Sequence, residues 1–251
     1  MFITGISLLI TLLFGEIQQP VFIVENLQKE VKSNISDEKR KKEILTLLNN
    51  YKAEIKELDK DLKKNEKDFK KLNLLKDTPE DSLLKIINLY IDNWEEIQLA
   101  GIPYRLQIQD LILPHEWRKI IANSENNLGG NSLKSQQKST LAIEQELSEL
   151  ELIIIENISD PFRATEALKA YEQFAYKMRT FTEENTEMTK RSLDTFQNHQ
   201  ANKQELENAI LSINALKTEV FEELSKLHYV LFDYTTKEEW YKIAKEINKL
   251  N

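Results

Sequence analysis

The chain has 251 residues, 30% of them charged, with a formal net charge of −8, five glycines, five prolines and no cysteine. The acidic balance argues against a nucleic-acid binder, which presents a basic face to phosphates. The missing cysteine excludes disulfides, thiolate zinc sites and a cysteine nucleophile, while scarce turn formers amid abundant Lys, Glu and Leu predict long helices and an all-α fold.

From the N-terminus, Phe2 to Phe14 is nearly all apolar, interrupted only by Thr4, Gly5, Ser7 and Thr11, and polar sequence begins at Gly15. That length suits the apolar region of a secretory signal and is short for a membrane span of about 20 residues. Residues 1–20 are therefore expected to be a signal peptide or a membrane anchor, which would make the protein periplasmic or inner-membrane-anchored.

After Pro20 an apolar stretch, Phe22 to Val31, leads into Asn34-Ile35-Ser36-Asp37. Ser36 or Asp37 is a natural N-cap, because its side-chain oxygen can accept from an unpaired first-turn amide. A long helix is expected to follow, with Ile44, Leu48, Tyr51, Ile55, Leu58, Leu62, Asn65, Phe69 and Leu72 spaced by alternating fours and threes, the a/d pattern of a coiled-coil seam. Lysines from Lys39 to Lys71 interleave with acids such as Glu43, Glu54, Glu57 and Asp61. They read as a solvated, salt-bridged face, with a docking surface for an acidic partner or a membrane as the alternative. Asp77-Thr78-Pro79 signals a turn and a new helix start. The returning helix carries Leu83, Ile87, Tyr90, Trp94 and Ile97, and Gly101-Ile102-Pro103 is a candidate kink.

The unit then repeats. Asn34-Ile35-Ser36-Asp37 recurs as Asn157-Ile158-Ser159-Asp160, and Glu116-Trp117-x-Lys119-Ile120 recurs as Glu239-Trp240-x-Lys242-Ile243, both 123 positions on. Two distant matches in one register predict an internal duplication. The expected organisation is two tandem repeats of a long antiparallel helical hairpin, residues 21–126 and 143–251, forming an elongated bundle. A polar linker at 127–142, which carries Gly129-Gly130, is expected to join them. In the second copy the seam runs Ala167, Tyr171, Phe174, Met178, Phe181, Asn185 and Met188. A break is expected near Asn198 to Asn202, followed by a stripe from Leu206 to Leu231.

Each unit closes with a short helix. Thr236-x-x-Glu239 is a capping box, and Trp117 with Ile120, like Trp240 with Ile243, are read as anchors pinning that helix to the hairpin. Asp37, Arg40 and Glu43, matched by Asp160, Arg163 and Glu166, are read as a cap plus salt bridge at the start of each long helix.

Chemistry is sparse. His115, His199 and His228 have no metal-ligand spacing, and five scattered glycines cannot build a phosphate loop. No catalytic, cofactor-binding or metal residue is assigned, and no cofactor is expected. A Cys-free helical hairpin plan is similar to that of small periplasmic chaperones of the Spy type, although Glu-Trp-x-Lys-Ile stands here in place of their Leu-Thr-x-x-Gln repeats. The expectation is a noncatalytic, exported or membrane-anchored scaffold or adaptor of the bacterial cell envelope, with a periplasmic chaperone-like binder of unfolded or apolar chains as the alternative. Envelope proteins are the expected partners, with membrane contact through residues 2–14 and no nucleic acid; the composition is compatible with a homo-oligomer.

Overall fold

A computed structural model of the chain describes residues 27–76 and 80–247. The apolar run at 2–14 and the Thr78-Pro79 helix start fall outside these. The described residues form seven helices and no strands: α1 Leu27–Asn34, α2 Glu38–Asn73, α3 Glu80–Leu111, α4 Pro114–Asn157, α5 Pro161–Gln197, α6 Lys203–Asp233 and α7 Lys237–Ile247. The fold is all-α, as the composition requires.

Local chemistry sets the helix starts. The Asp37 carboxylate accepts the amide of Arg40 at 2.9 Å, and Asp160 accepts that of Arg163 at the same distance. Pro161 occupies the first turn of α5, where its missing N–H costs nothing. Asn202 and Glu205 close a reciprocal box at the start of α6, at 3.1 and 2.8 Å.

α2 and α3 form one hairpin, α5 and α6 the other, and α3 lies against α6. The predicted seams are the buried lines of these hairpins: Ile44, Leu48, Tyr51, Ile55, Leu62 and Phe69 in α2, and Ala167, Tyr171, Phe174, Met178 and Phe181 in α5. Pro103 sits inside α3 without ending it. A Cβ on Gly101 would stand 3.0 Å from the Tyr51 hydroxyl. At the matching positions the second copy has Leu224 and Phe174, so a larger residue appears where the hydroxyl is gone.

The linker expected at 127–142 is instead the middle of α4, which runs unbroken through Gly129-Gly130. Two helical glycines cost about 2 kcal/mol relative to alanine, and the anchoring of both ends of α4 offsets that. Its first turns carry buried Trp117 and Ile120, and its last turns carry buried Leu147, Leu150 and Ile154. α4 contacts α1 and α7, the leading helix of the first unit and the closing helix of the second. One continuous helix therefore packs on α1 beside the first hairpin and on α7 beside the second.

The hairpins lie side by side and antiparallel, because the tip of each is bonded to the base of the other. At one junction His199, in the α5–α6 turn, donates Nε2–H to the Ile112 carbonyl at 2.7 Å, and Trp117 donates its indole N–H to the Gln197 carbonyl at 2.7 Å. At the other, Lys76 beyond the end of α2 donates to the carbonyls of Phe232 and Thr235 and lies over the Phe232 ring. His199 and Lys76 stand 123 positions apart, as do Ile112 and Thr235. The contact is thus reciprocal, in the manner of a two-fold interface.

Candidate functional site: two base clamps and the surfaces beside them

At the base of the first hairpin, α1, α2 and α4 converge. Asp37 starts α2 and turns Arg40 inward one helical turn later. Its guanidinium grips Glu116 bidentately, Nη1 at 2.7 Å and Nη2 at 2.9 Å, and Nη1 also donates to the Leu111 carbonyl at 2.9 Å. Glu116 accepts the amide of Leu113 at 2.9 Å as well, so one buried carboxylate caps α4 and ties it to α2. The Arg40 guanidinium holds the Glu116 carboxyl below its usual range, against the opposing effect of burial.

The base of the second hairpin repeats this arrangement. Arg163 grips Glu239 at 2.5 and 3.1 Å and donates to the Tyr234 carbonyl at 2.9 Å; Glu239 accepts the Thr236 amide at 2.8 Å, and the Thr236 hydroxyl accepts the Glu239 amide at 3.2 Å. Two bonds are added here, from the Ser159 amide at 3.1 Å and its hydroxyl at 2.7 Å. Arg163 first, then these donors, push the Glu239 carboxyl far below the ordinary range.

Asp37, Arg40, Asp160 and Arg163 therefore occupy the clamps as caps and salt bridges. Trp117, Ile120, Trp240 and Ile243 are buried beside them as anchors. Glu43 and Glu166 do not complete the bridges. Glu43 is exposed, and Glu166 pairs with Lys169 at 2.6 Å. The carboxylates that do, Glu116 and Glu239, lie 76 residues downstream of their arginines; the duplicated Glu-Trp dipeptide was their signal in the sequence, readable there only as a local cap.

Sequence reasoning also missed Arg105. It is fully buried on α3, its guanidinium carbon 3.9 Å from the Trp117 ring centroid. Its Nη2 donates to the Asn198 carbonyl at 3.2 Å, at the negative end of α5. Burial pushes its pKa down to about 10. The matching position holds His228, which meets Trp240 edge-on at 5.0 Å and whose pKa burial pushes down to about 4. A cation over one tryptophan is replaced by a neutral ring against the other.

The bases differ most on their outer surfaces. Around the Arg163 clamp, Leu152 (54% exposed), Ile155 (49%), Phe162 (68%) and Tyr241 (52%) face outward. At the Arg40 clamp the equivalent positions are Lys29, Lys32, Lys39 and Arg118, all exposed. Nothing in either clamp offers an open reactive group, since each carboxylate is buried and bonded to its arginine. Among the described residues no group of His, Asp and Glu is arranged to hold a metal ion, and no helix is long and apolar enough to cross a membrane. Compared with known proteins, the chain matches no family model, no curated protein and no solved structure.

Proposed function

We propose that the protein is a noncatalytic scaffold or adaptor of the bacterial cell envelope, exported or anchored through its apolar N-terminal segment, and that it receives a protein partner at the Arg163 end. The observation that carries this reading is the replacement of four basic positions by four outward-facing apolar ones on an otherwise repeated frame. Solvated apolar side chains grouped at one end of a helical body are a surface suited to another protein. The clamp beneath keeps the surface rigid, so little ordering entropy opposes docking. The ionisable groups of the clamps serve caps and ion pairs, which fits a framework better than a reaction centre.

The test is crosslinked affinity capture from an envelope fraction, comparing the parent with Leu152→Lys/Ile155→Lys. The fold should tolerate both, because Lys29 and Lys32 stand at those positions in the first unit. A defined set of envelope proteins captured by the parent and lost from the variant is expected. Capture of nothing specific, or of the same set by both, contradicts the reading.

A further inference from the structure

Toward its C-terminal end α4 carries two seams, one inward and one outward. The inward one is the buried line Ile143, Leu147, Leu150 and Ile154. On the opposite side Leu141, Gln145, Ser148, Leu152 and Ile155 alternate fours and threes, and all five are exposed. Leu141 at 72%, Leu152 at 54% and Ile155 at 49% hold their apolar side chains in solvent. In heptad terms Gln145 and Leu152 take a positions, while Leu141, Ser148 and Ile155 take d positions. Such a stripe fits one helix to another, and over residues 141–156 it runs about 24 Å.

The residues flanking the stripe decide what can pack on it. In the same heptads Glu149 and Glu156 fall at e, and Glu144 and Glu151 at g. Every charged flanking residue is therefore an acid. Glu144 is bonded to Arg179 at 2.9 Å and Glu149 accepts from Gln145 at 2.9 Å. Among the described residues no cation pairs with Glu149, Glu151 or Glu156. Charges at e and g choose the partner of such a seam and its orientation. A second copy of this stripe would set Glu against Glu, because g meets e in a parallel pair, and g meets g and e meets e in an antiparallel one. A helix with Lys or Arg at its own e and g positions meets attraction along both edges. The sister unit lacks all of this: Gln28, Lys29, Lys32 and Ser33 stand where Glu151, Leu152, Ile155 and Glu156 stand here. Apolar and acidic residues thus appear together, in one unit only.

Resting on the partner surface proposed at the Arg163 end, we infer that the outward stripe of α4 docks an amphipathic helix of another protein, apolar at a and d and basic at e and g. Leu141, Leu152 and Ile155 bury its apolar line, and Glu149, Glu151 and Glu156 pair with its cations. Gln145 and Ser148, polar within the stripe, give up apolar area and fix the register.

The probe is a synthetic peptide of about four heptads with Leu at a and d and Lys at e and g, whose own cations oppose its self-pairing. Fluorescence anisotropy with the full chain should show binding. The same peptide with Glu at e and g, or with the Lys composition in scrambled order, should not bind. Each flanking ion pair contributes about twofold, so Glu149→Gln/Glu151→Gln/Glu156→Gln should weaken binding of the Lys peptide about eightfold. Glu183→Gln/Glu184→Gln/Glu222→Gln removes equal charge at exposed positions outside α4 and should change it by less than about twofold. Leu152→Lys/Ile155→Lys should abolish it. Equal binding of the scrambled peptide, an equal fall in both triple variants, or refusal of the Lys peptide would overturn the inference. So would dimerisation of the parent in sedimentation equilibrium that Leu152→Lys/Ile155→Lys removes, which would assign the stripe to a second copy. Envelope capture that fails while the Lys peptide binds as expected removes the envelope partner alone; capture that depends on Leu152 and Ile155 while the Lys peptide is refused removes the basic helix alone.

Discussion

The two clamps differ in how many bonds their carboxylates accept, and that difference can be measured within one molecule. Glu116 accepts three hydrogen bonds, from Arg40 Nη1 and Nη2 and from Leu113 N. Glu239 accepts five, from the equivalent three donors and from the amide and hydroxyl of Ser159. Glutamine keeps one acceptor oxygen but sets an NH2 group among donors and removes the charge that strengthens each bond. Losing charge-assisted bonds at a buried site should cost about 2 kcal/mol for Glu116→Gln. For Glu239→Gln it should be about 3 kcal/mol, because each Glu239 oxygen accepts at least two donors, so either placement of the NH2 group strands two or more, against one at Glu116. Urea unfolding followed by far-UV circular dichroism measures both, with the slope m required to stay constant across variants. Ser159→Ala should narrow the gap, since it removes one of the additional donors. Equal costs for the two substitutions, or costs below about 0.5 kcal/mol in both, would refute the assignment of these carboxylates as the ties between closing helix and hairpin.

Three further outcomes are expected. Gly101→Ala should gain nothing in the parent, because its Cβ would meet the Tyr51 hydroxyl at 3.0 Å, and should be more favourable by up to about 1 kcal/mol in a Tyr51→Phe background, where ring carbons at 3.3 and 3.4 Å remain; thermal unfolding of the four variants in the cycle reads this. Burial pushes the Lys217 pKa down to about 8, so between that value and the ordinary lysine value the unfolded chain holds more protons. Stability should accordingly rise by about 2 kcal/mol from about pH 7.5 to 9.5, and Lys217→Met should flatten that slope. His228, pushed down to about 4 by burial, works on the acid side. Its contribution is present above the ordinary histidine pKa and is lost as pH falls toward 4, about 2 kcal/mol by pH 5; denaturation at graded pH should show the fall, and His228→Phe should reduce it.

Much of the fold could be read from the sequence because its signals are local and periodic. The seam from Ile44 to Phe69 needs only its own spacing, and Asp37, Asp160 and the Thr236–Glu239 box need only their own turns. The break at Asn198 to Asn202 was legible for the same reason. What could not be read depends on residues far apart in the chain. Arg40 looked like a partner for Glu43, one turn away, but the structure turns it to Glu116, which arrives only when α4 folds back onto α2. Gly129-Gly130 looked like a linker because local propensity is weak there. Burial of Trp117 at one end of α4 and Ile154 at the other outweighs that weakness, which no window of sequence around the glycines contains. The antiparallel pairing of the hairpins was equally invisible, because it rests on single contacts such as His199 to Ile112 and Lys76 to Thr235. The surfaces at the two ends were present in the sequence as Lys29 against Leu152 and Lys39 against Phe162. Their meaning required knowing that these positions face outward.

The central claim is that each hairpin tip rests on the other hairpin's base, which puts the basic and apolar surfaces at opposite ends of the molecule. The chain has no cysteine, so spin labels can be placed at will on exposed His115, Gln200 and Glu238. Pulsed electron–electron double resonance should give a distance below about 25 Å for the pair at His115→Cys and Gln200→Cys, which flank the His199–Ile112 contact. The pair at Gln200→Cys and Glu238→Cys, separated by the 31 residues of α6, should lie about 45–50 Å apart. A His115–Gln200 distance of about 50 Å, as parallel or end-to-end hairpins of this length would give, would contradict the account.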